Sequence, residues 1–150
     1  MRTLTWEQVH ARRLARQSLA QPATTSKLVD VASRVGGIQA QVAAAAELAL
    51  GARVADVDQR AIQQELWERR GLVKTYSLRG TLHIHRADEL PLWTAARRAL
   101  ADWRGERLCD SYRLEAAQCD AVLAALREAL DGRRLARQEL AEEVAAHVGV

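Results

Sequence analysis

Apolar positions recur along this chain with two different periods. The first element expected is a helix from Trp6 to about Leu19. Thr5 and Gln8 frame its start as a capping box, in which each side chain satisfies a backbone N–H beside the other. Pro22 and the polar "ATTS" interrupt the pattern. Ser26 is placed to cap a second helix, Lys27 to Val35, with Leu28, Val31, Ala32 and Val35 on one face. Gly36 and Gly37 stop it. "QAQVAAAAELAL" predicts a third helix from about Ile38 to Gly51. Asp56 is the expected cap of a fourth, which ends near Arg69 and Arg70, cations suited to a helix C-terminus.

The period then changes to two. "LVKTYSLRGTLHIH" alternates and is rich in β-formers. It predicts a hairpin, about Val73 to Leu78 and Thr81 to His85, closed by a two-residue turn at Arg79-Gly80. Asp88 is the expected cap of the next helix, with Pro91 in its first turn and Leu92, Ala96, Leu100 and Trp103 on one face. A helix after "CDSYRLEAAQ" directs Cys119, Val122 or Leu123, Leu126 and Leu130 inward and ends at Asp131-Gly132. "RRLARQELAEEVAAHVGV" predicts a last short helix. Helices followed by a two-stranded hairpin are the order of a winged helix (helix-turn-helix). A generic helical domain with an incidental hairpin is the alternative. The fold class expected is mainly α with a small β-hairpin. Residues 1–87 form the winged-helix module, 88–131 connecting helices, and 132–150 the start of a second helix-turn-helix without its recognition helix and wing.

Composition sharpens this picture at three points. A chain of 150 residues has the length of one ordinary domain, and with 49% hydrophobic residues it has material for a core. No apolar run approaches the roughly 18 residues of a membrane span, and the N-terminus lacks the apolar stretch of a secretory signal. A cytoplasmic location follows as an expectation, with Cys109 and Cys119 as reduced thiols. The net charge is +3, and Lys27 and Lys74 are the only lysines. Arginine grips phosphate with two parallel hydrogen bonds. A G- and C-rich genome also enriches arginine, so charge points toward nucleic acid without establishing it.

"SRVGGIQAQV" sets two neutral amides, Gln39 and Gln41, among small apolar residues. Arg79, at the hairpin tip, is a natural phosphate contact or a solvated turn arginine. His83 and His85 alternate with Ile84, so both leave the same strand face. No third ligand of suitable spacing accompanies them, and Cys109 and Cys119 lie too far along for a zinc motif. Neither a metal nor a cofactor is expected; packing or DNA-facing polarity suits these histidines better. Trp93 and Trp103 read as core. Arg12, Arg13 and Arg16 give the first helix a basic face toward phosphates or solvent. There is no glycine-rich phosphate loop, nucleophile triad or carboxylate pair.

Taken together, "RVGGIQAQ", "LWERRGLVKTYSLRGTLHIH" and "RADELPLW" resemble the AlkZ/YcaQ-type winged-helix DNA glycosylases, in the same order from about Leu14 to Leu100. The resemblance implies bacterial enzymes that unhook interstrand crosslinks, built from tandem winged-helix modules around a DNA channel. This chain would hold the first module and part of a second. An incomplete second module would leave apolar faces that invite self-association. The resemblance also implies that Gln39 and Gln41 lie in the active site and hold the hydrolytic water. An amide has no useful pKa, so it positions rather than deprotonates. That suffices for an N7-alkylated purine, whose ring charge makes it leave readily as a neutral base. On a regular helix, positions two apart point about 200° from each other. Cooperation would need an irregular first turn, or a water at the helix end, where N–H groups are free. The function expected is a DNA repair glycosylase, or a fragment of one, acting on N7-alkylated purines including interstrand crosslinks. Its partner is double-stranded, damaged DNA in the nucleoid, contacted by Arg79, His83, Arg12 and Arg16. The alternatives are a non-catalytic winged-helix DNA-binding protein, regulatory or self-protective, and a protein-interaction domain.

Overall fold

The computed structural model describes residues 3–78, 80–100 and 112–149. Arg79, Trp103 and Cys109 lie outside them. The chain divides into two compact units, Met1–Leu100 and Ala101–Val150.

The first unit opens with α1 (Trp6–Arg16), whose capping box forms as expected: Gln8 N–H donates to Thr5 Oγ1 at 3.2 Å and Thr5 N–H to Gln8 Oε1 at 3.1 Å. A 3₁₀ turn (Thr25–Lys27) leads into α2 (Leu28–Arg34). Ser26 does not cap this helix; its hydroxyl pairs with that of Thr24 at 3.0 Å, and the 3₁₀ turn itself makes the entry. A short strand β1 (Ile38–Gln39) follows, then α3 (Ala43–Gly51) and α4 (Gln59–Trp67). The hairpin is β2 (Leu72–Tyr76) and β3 (Leu82–Arg86). A 3₁₀ turn (Ala87–Glu89) and α5 (Leu90–Ala99) complete the unit. The sheet has the order β1-β3-β2 with both pairings antiparallel, so the fold is mainly helical with a three-stranded wing.

The third strand was not expected. Ile38 pairs with Ile84 and Gln39 with His83. Ile38 and Ala40 are buried while Gln39 and Gln41 are exposed, a period of two that the following alanine run conceals. Helix α3 therefore starts at Ala43, not Ile38. Asp58 rather than Asp56 caps α4, accepting from Ala61 N–H at 2.7 Å; Asp56 lies in the preceding turn with φ +55°. Asp88 caps nothing. Its carboxylate accepts from Arg86 Nε at 2.7 Å and Nη2 at 2.9 Å, and Arg86 also reaches Asp30 on α2 at 3.1 Å. The hairpin loop is longer than a two-residue turn. Ser77 N–H donates to Thr81 O, and Gly80, with φ +73°, donates to Ser77 O, both at 2.9 Å. A left-handed glycine at that place is the mark of a three-residue bulged loop. On α5, Leu92 and Leu100 are 66% and 57% exposed, and the half-buried Trp93 meets the sheet instead. One residue's rotation on a helix is about 100°, enough to exchange the two faces.

The core joins Leu28, Val31 and Ala32 of α2 to Ala46 and Leu50 of α3, Ile62 of α4, and Ile38, Leu72 and Ile84 of the sheet. Burying a leucine- or isoleucine-sized side chain contributes about 1.5–3 kcal/mol, so this cluster holds helices and wing in one piece. A parallel bridge between Ala23 and Val54 ties the segment after α1 to the end of α3.

The second unit is a helix pair, α6 (Ala116–Ala129) and α7 (Arg137–Val148), packed on one another. Ala125 and Ala129 are buried, whereas Leu123 and Leu130 are 50% and 43% exposed. Gly132, with φ +64°, follows the end of α6 as expected. Arg133 closes the pair with two hydrogen bonds to Glu143, at 3.0 and 2.5 Å. Cys119, expected as a reduced thiol, is disulfide-bonded. Among the described residues no helix is long and apolar enough to cross a membrane.

Candidate active site

The site is built on β1 because the chain cannot continue α2 through two glycines. Gly36 and Gly37 adopt φ +78° and +103°, conformations that side chains rarely take. Their N–H groups return to Ser33 O and Ala32 O at 2.9 Å. The chain leaves this turn extended, and Ile38, Gln39, Ala40 and Gln41 alternate in and out. Ile38 and Ala40 go to the core; Gln39 and Gln41 are exposed. The extended chain thus removes the helical geometry that would set the two glutamines about 200° apart; Gln39 ends β1 and Gln41 lies two residues on, in the bend that follows.

The two glutamines differ in their bonding. Gln41 Oε1 accepts the N–H of Leu82, the first residue of β3, at 3.1 Å, while Ala40 N–H donates to Leu82 O at 2.8 Å. The Gln41 amide thereby occupies the place of a backbone carbonyl and pins the start of β3 to β1. Its NH₂ remains for other use. The Gln39 side chain makes no hydrogen bond with a described residue. It is exposed on an edge strand and sits opposite His83.

Two histidines continue the face. His83 Nδ1 lies 3.0 Å from Thr81 O, and the His83 and His85 rings stack at 5.8 Å between centroids. His85 is 1% exposed. It packs on Trp93 at 4.4 Å and against Gly37, where a β-carbon would stand 2.5 Å from its Cε1. Neither ring nitrogen of His85, nor Trp93 Nε1, has a hydrogen-bond partner among the described residues. Burial lowers the His85 pKa below its ordinary value; His83 lowers it further and Glu89 partly restores it. Burial therefore favours the neutral form of the ring. Glu89 in turn accepts a hydrogen bond from Ser33 Oγ on α2, so α2, the glycine turn and the start of α5 close around His85.

The structure brings together Gln39, Gln41 and His83 of the residues expected to act. Arg12 and Arg16 stand on α1, which buries no residue, and their side chains make no hydrogen bond or ion pair with another described residue. Arg79 lies outside the described residues. Sequence reasoning missed Gly37 and Trp93 as the walls around His85, and Gln41 as a clamp on β3. The strict alternation of Ile38, Gln39, Ala40 and Gln41 after a double glycine was the signal available for the strand. Among the described residues no group of three or more His, Cys, Asp and Glu is placed to hold a metal ion.

The comparisons with known proteins converge. The sequence model of the family described as "DNA glycosylase AlkZ-like" matches residues 32–149. The chain is 33% identical over 141 residues to an interstrand DNA cross-link repair glycosylase of Streptomyces sahachiroi, covering 94% of this chain and 38% of that protein. It superposes on the solved structure of the Streptomyces sahachiroi DNA glycosylase AlkZ with a TM-score of 0.81 at 32% identity, over 97% of this chain and 38% of that one.

Proposed function

The chain belongs to the AlkZ-like DNA glycosylase family, and from that premise we propose that it carries the water-holding site of a DNA repair glycosylase acting on N7-alkylated purines, including those tied into interstrand crosslinks. The single observation that carries this reading is the pair Gln39 and Gln41, both exposed at the end of β1 with the Gln39 amide uncommitted.

The substrate class follows from the chemistry of amides. Neither glutamine can take a proton at neutral pH. Their carbonyl oxygen can orient a water and stabilise a developing positive charge, and a preorganised group of this kind is worth about 3 kcal/mol. Such help suffices when the leaving base already carries a positive ring. The C1′–N9 bond breaks with its electron pair going to the base, which leaves neutral. The water oxygen bonds to C1′ and releases a proton. Gln41 is anchored through its oxygen to Leu82, so Gln39 orients the water and Gln41 fixes the strand and offers its NH₂.

The partner in this reading is double-stranded DNA, damaged, in a cytoplasmic and nucleoid-associated setting. Arg79, His83, Arg12 and Arg16 contact it. A base tethered to the opposite strand cannot leave the duplex as freely as an untethered one, which suits a shallow, exposed strand face. Residues 1–87 serve as the winged-helix module, 88–131 as connecting helices and 132–150 as the start of a second module. A DNA-binding protein without catalysis is the second reading, favoured by the commitment of the Gln41 oxygen to Leu82. Release of N7-methylguanine from alkylated DNA, followed with wild-type protein and Gln39→Ala, decides between them: release by the wild type that the variant loses supports the glycosylase, and none from either supports the binder.

A further inference from the structure

His83 lies directly opposite Gln39, and the bonding around them makes this a close pair. Ala40 N–H reaches Leu82 O, so Ala40 and Leu82 occupy the hydrogen-bonded position of the antiparallel ladder. The next pair, Gln39 and His83, falls on the non-hydrogen-bonded position, where Cα atoms approach to about 4.5 Å and side chains are nearest. Both side chains leave the same face of the sheet, and Gln41 follows just beyond the end of β1.

The tautomer of His83 is fixed by its partner. Nδ1 stands 3.0 Å from Thr81 O, and a carbonyl oxygen only accepts. Nδ1 therefore carries the hydrogen, and in the neutral ring Nε2 carries the lone pair. His85 stacks on His83 at 5.8 Å and is itself buried against Trp93 and Gly37, so the ring of His83 rests on a packed neighbour. The site thus holds one group able to accept a proton beside two amides that cannot. Of the charged and titratable groups around it, His85 faces His83 directly and Glu89 faces His85. Lys74 and Arg86 belong to the opposite face of their strands, and Arg97 of α5 lies over Tyr76.

We propose that His83 is a further catalytic residue, its Nε2 accepting the proton of the water that Gln39 aims at C1′. This rests on the glycosylase reading. As the C1′–N9 bond breaks toward the base, the water oxygen bonds to C1′ and one of its protons passes to Nε2. The imidazolium so formed returns that proton to solvent.

The test uses the protein that contains this chain, at the length it has in the cell, with DNA bearing N7-methylguanine under single-turnover conditions. Wild type, Gln39→Ala, His83→Gln and His83→Ala are compared across pH 5–8, with folding followed by circular dichroism. His83→Gln is expected to lose roughly 100-fold or more in rate and the acid limb of the pH profile. Added imidazole is expected to restore part of the rate of His83→Ala. Nitrogen-15 spectra of the histidine rings are expected to show Nδ1 protonated and Nε2 bare. If Gln39→Ala is inactive but His83→Gln keeps the wild-type rate and profile, the role of His83 is overturned while the glycosylase stands. The opposite tautomer overturns it too. No base release by wild type overturns both.

Discussion

The imidazole of His85 rests on Gly37 so closely that a β-carbon at that position would stand 2.5 Å from Cε1 and 2.7 Å from Nδ1. Gly37 also holds φ +103°. Contact and conformation both disfavour a side chain, and the buried ring also packs on Trp93 at 4.4 Å. Gly37→Ala is therefore expected to lower stability by about 2 kcal/mol or more, from backbone strain and overpacking together. Urea unfolding monitored by circular dichroism measures the loss, and an unchanged midpoint would contradict the packing described.

The two glutamines are expected to separate by phenotype. Gln39→Ala removes an amide with no partner in the described fold, so it should cut base release roughly 10- to 1,000-fold with unchanged thermal stability. Gln41→Ala also frees the Leu82 N–H, and should lose activity together with about 1 kcal/mol of stability. Equal stability of the two variants in a melting experiment would argue against the clamp.

Stability should depend on pH through His85. Its pKa is lowered in the folded protein, chiefly by burial. Below the ordinary imidazole range the unfolded chain then binds a proton that the folded chain resists. The stabilisation is complete above that range and is lost as pH falls from it toward the lowered value. Melting temperatures between pH 7.5 and 5 are expected to fall toward acid, with a smaller slope in His85→Phe. An identical slope in the two proteins would remove His85 as the cause.

The junction of α3 and α4 offers two substitutions of opposite sign. Gly51, in the last turn of α3, has open space where a β-carbon would stand, with no neighbouring atom within 4 Å. Gly51→Ala should stabilise by about 0.4–1 kcal/mol, by restricting the unfolded chain. Asp58→Ala should destabilise by about 1 kcal/mol, because Ala61 N–H loses its cap. Differential scanning calorimetry of the two variants distinguishes the shifts.

DNA binding is expected to be mainly electrostatic and indifferent to sequence, since a repair enzyme meets its lesion in any context. Arginine contacts to phosphate give a steep fall of affinity with salt. Replacing Arg12 or Arg16 with Ala should reduce that dependence, by about one unit of logarithmic slope for each phosphate that the variant no longer neutralises. Fluorescence anisotropy titrations across salt concentrations provide the measurement. A flat response would point to a sequence-reading regulator.

The helical turns, the hairpin and the double glycine were legible in the sequence because each is a local matter. The Thr5–Gln8 box, the apolar face of α2 and the alternation of "TLHIH" depend on residues within a few positions of one another. The proposed role of Gln39 and Gln41 also came from the sequence, through resemblance. What could not be read was how the two are arranged. "IQAQ" runs into an alanine stretch with strong helix propensity, and only pairing with His83 and Ile84, more than forty residues away, makes those residues a strand. Which aspartate caps α4, and which face of α5 turns inward, were likewise settled by packing rather than by propensity. The sequence by itself determined the kinds of element and the chemistry of the side chains. Tertiary structure alone decided that the Gln39 amide and the His83 imidazole stand opposite one another, with Gln41 bonded to the neighbouring Leu82, because cross-strand contacts fix direction and no local period encodes them.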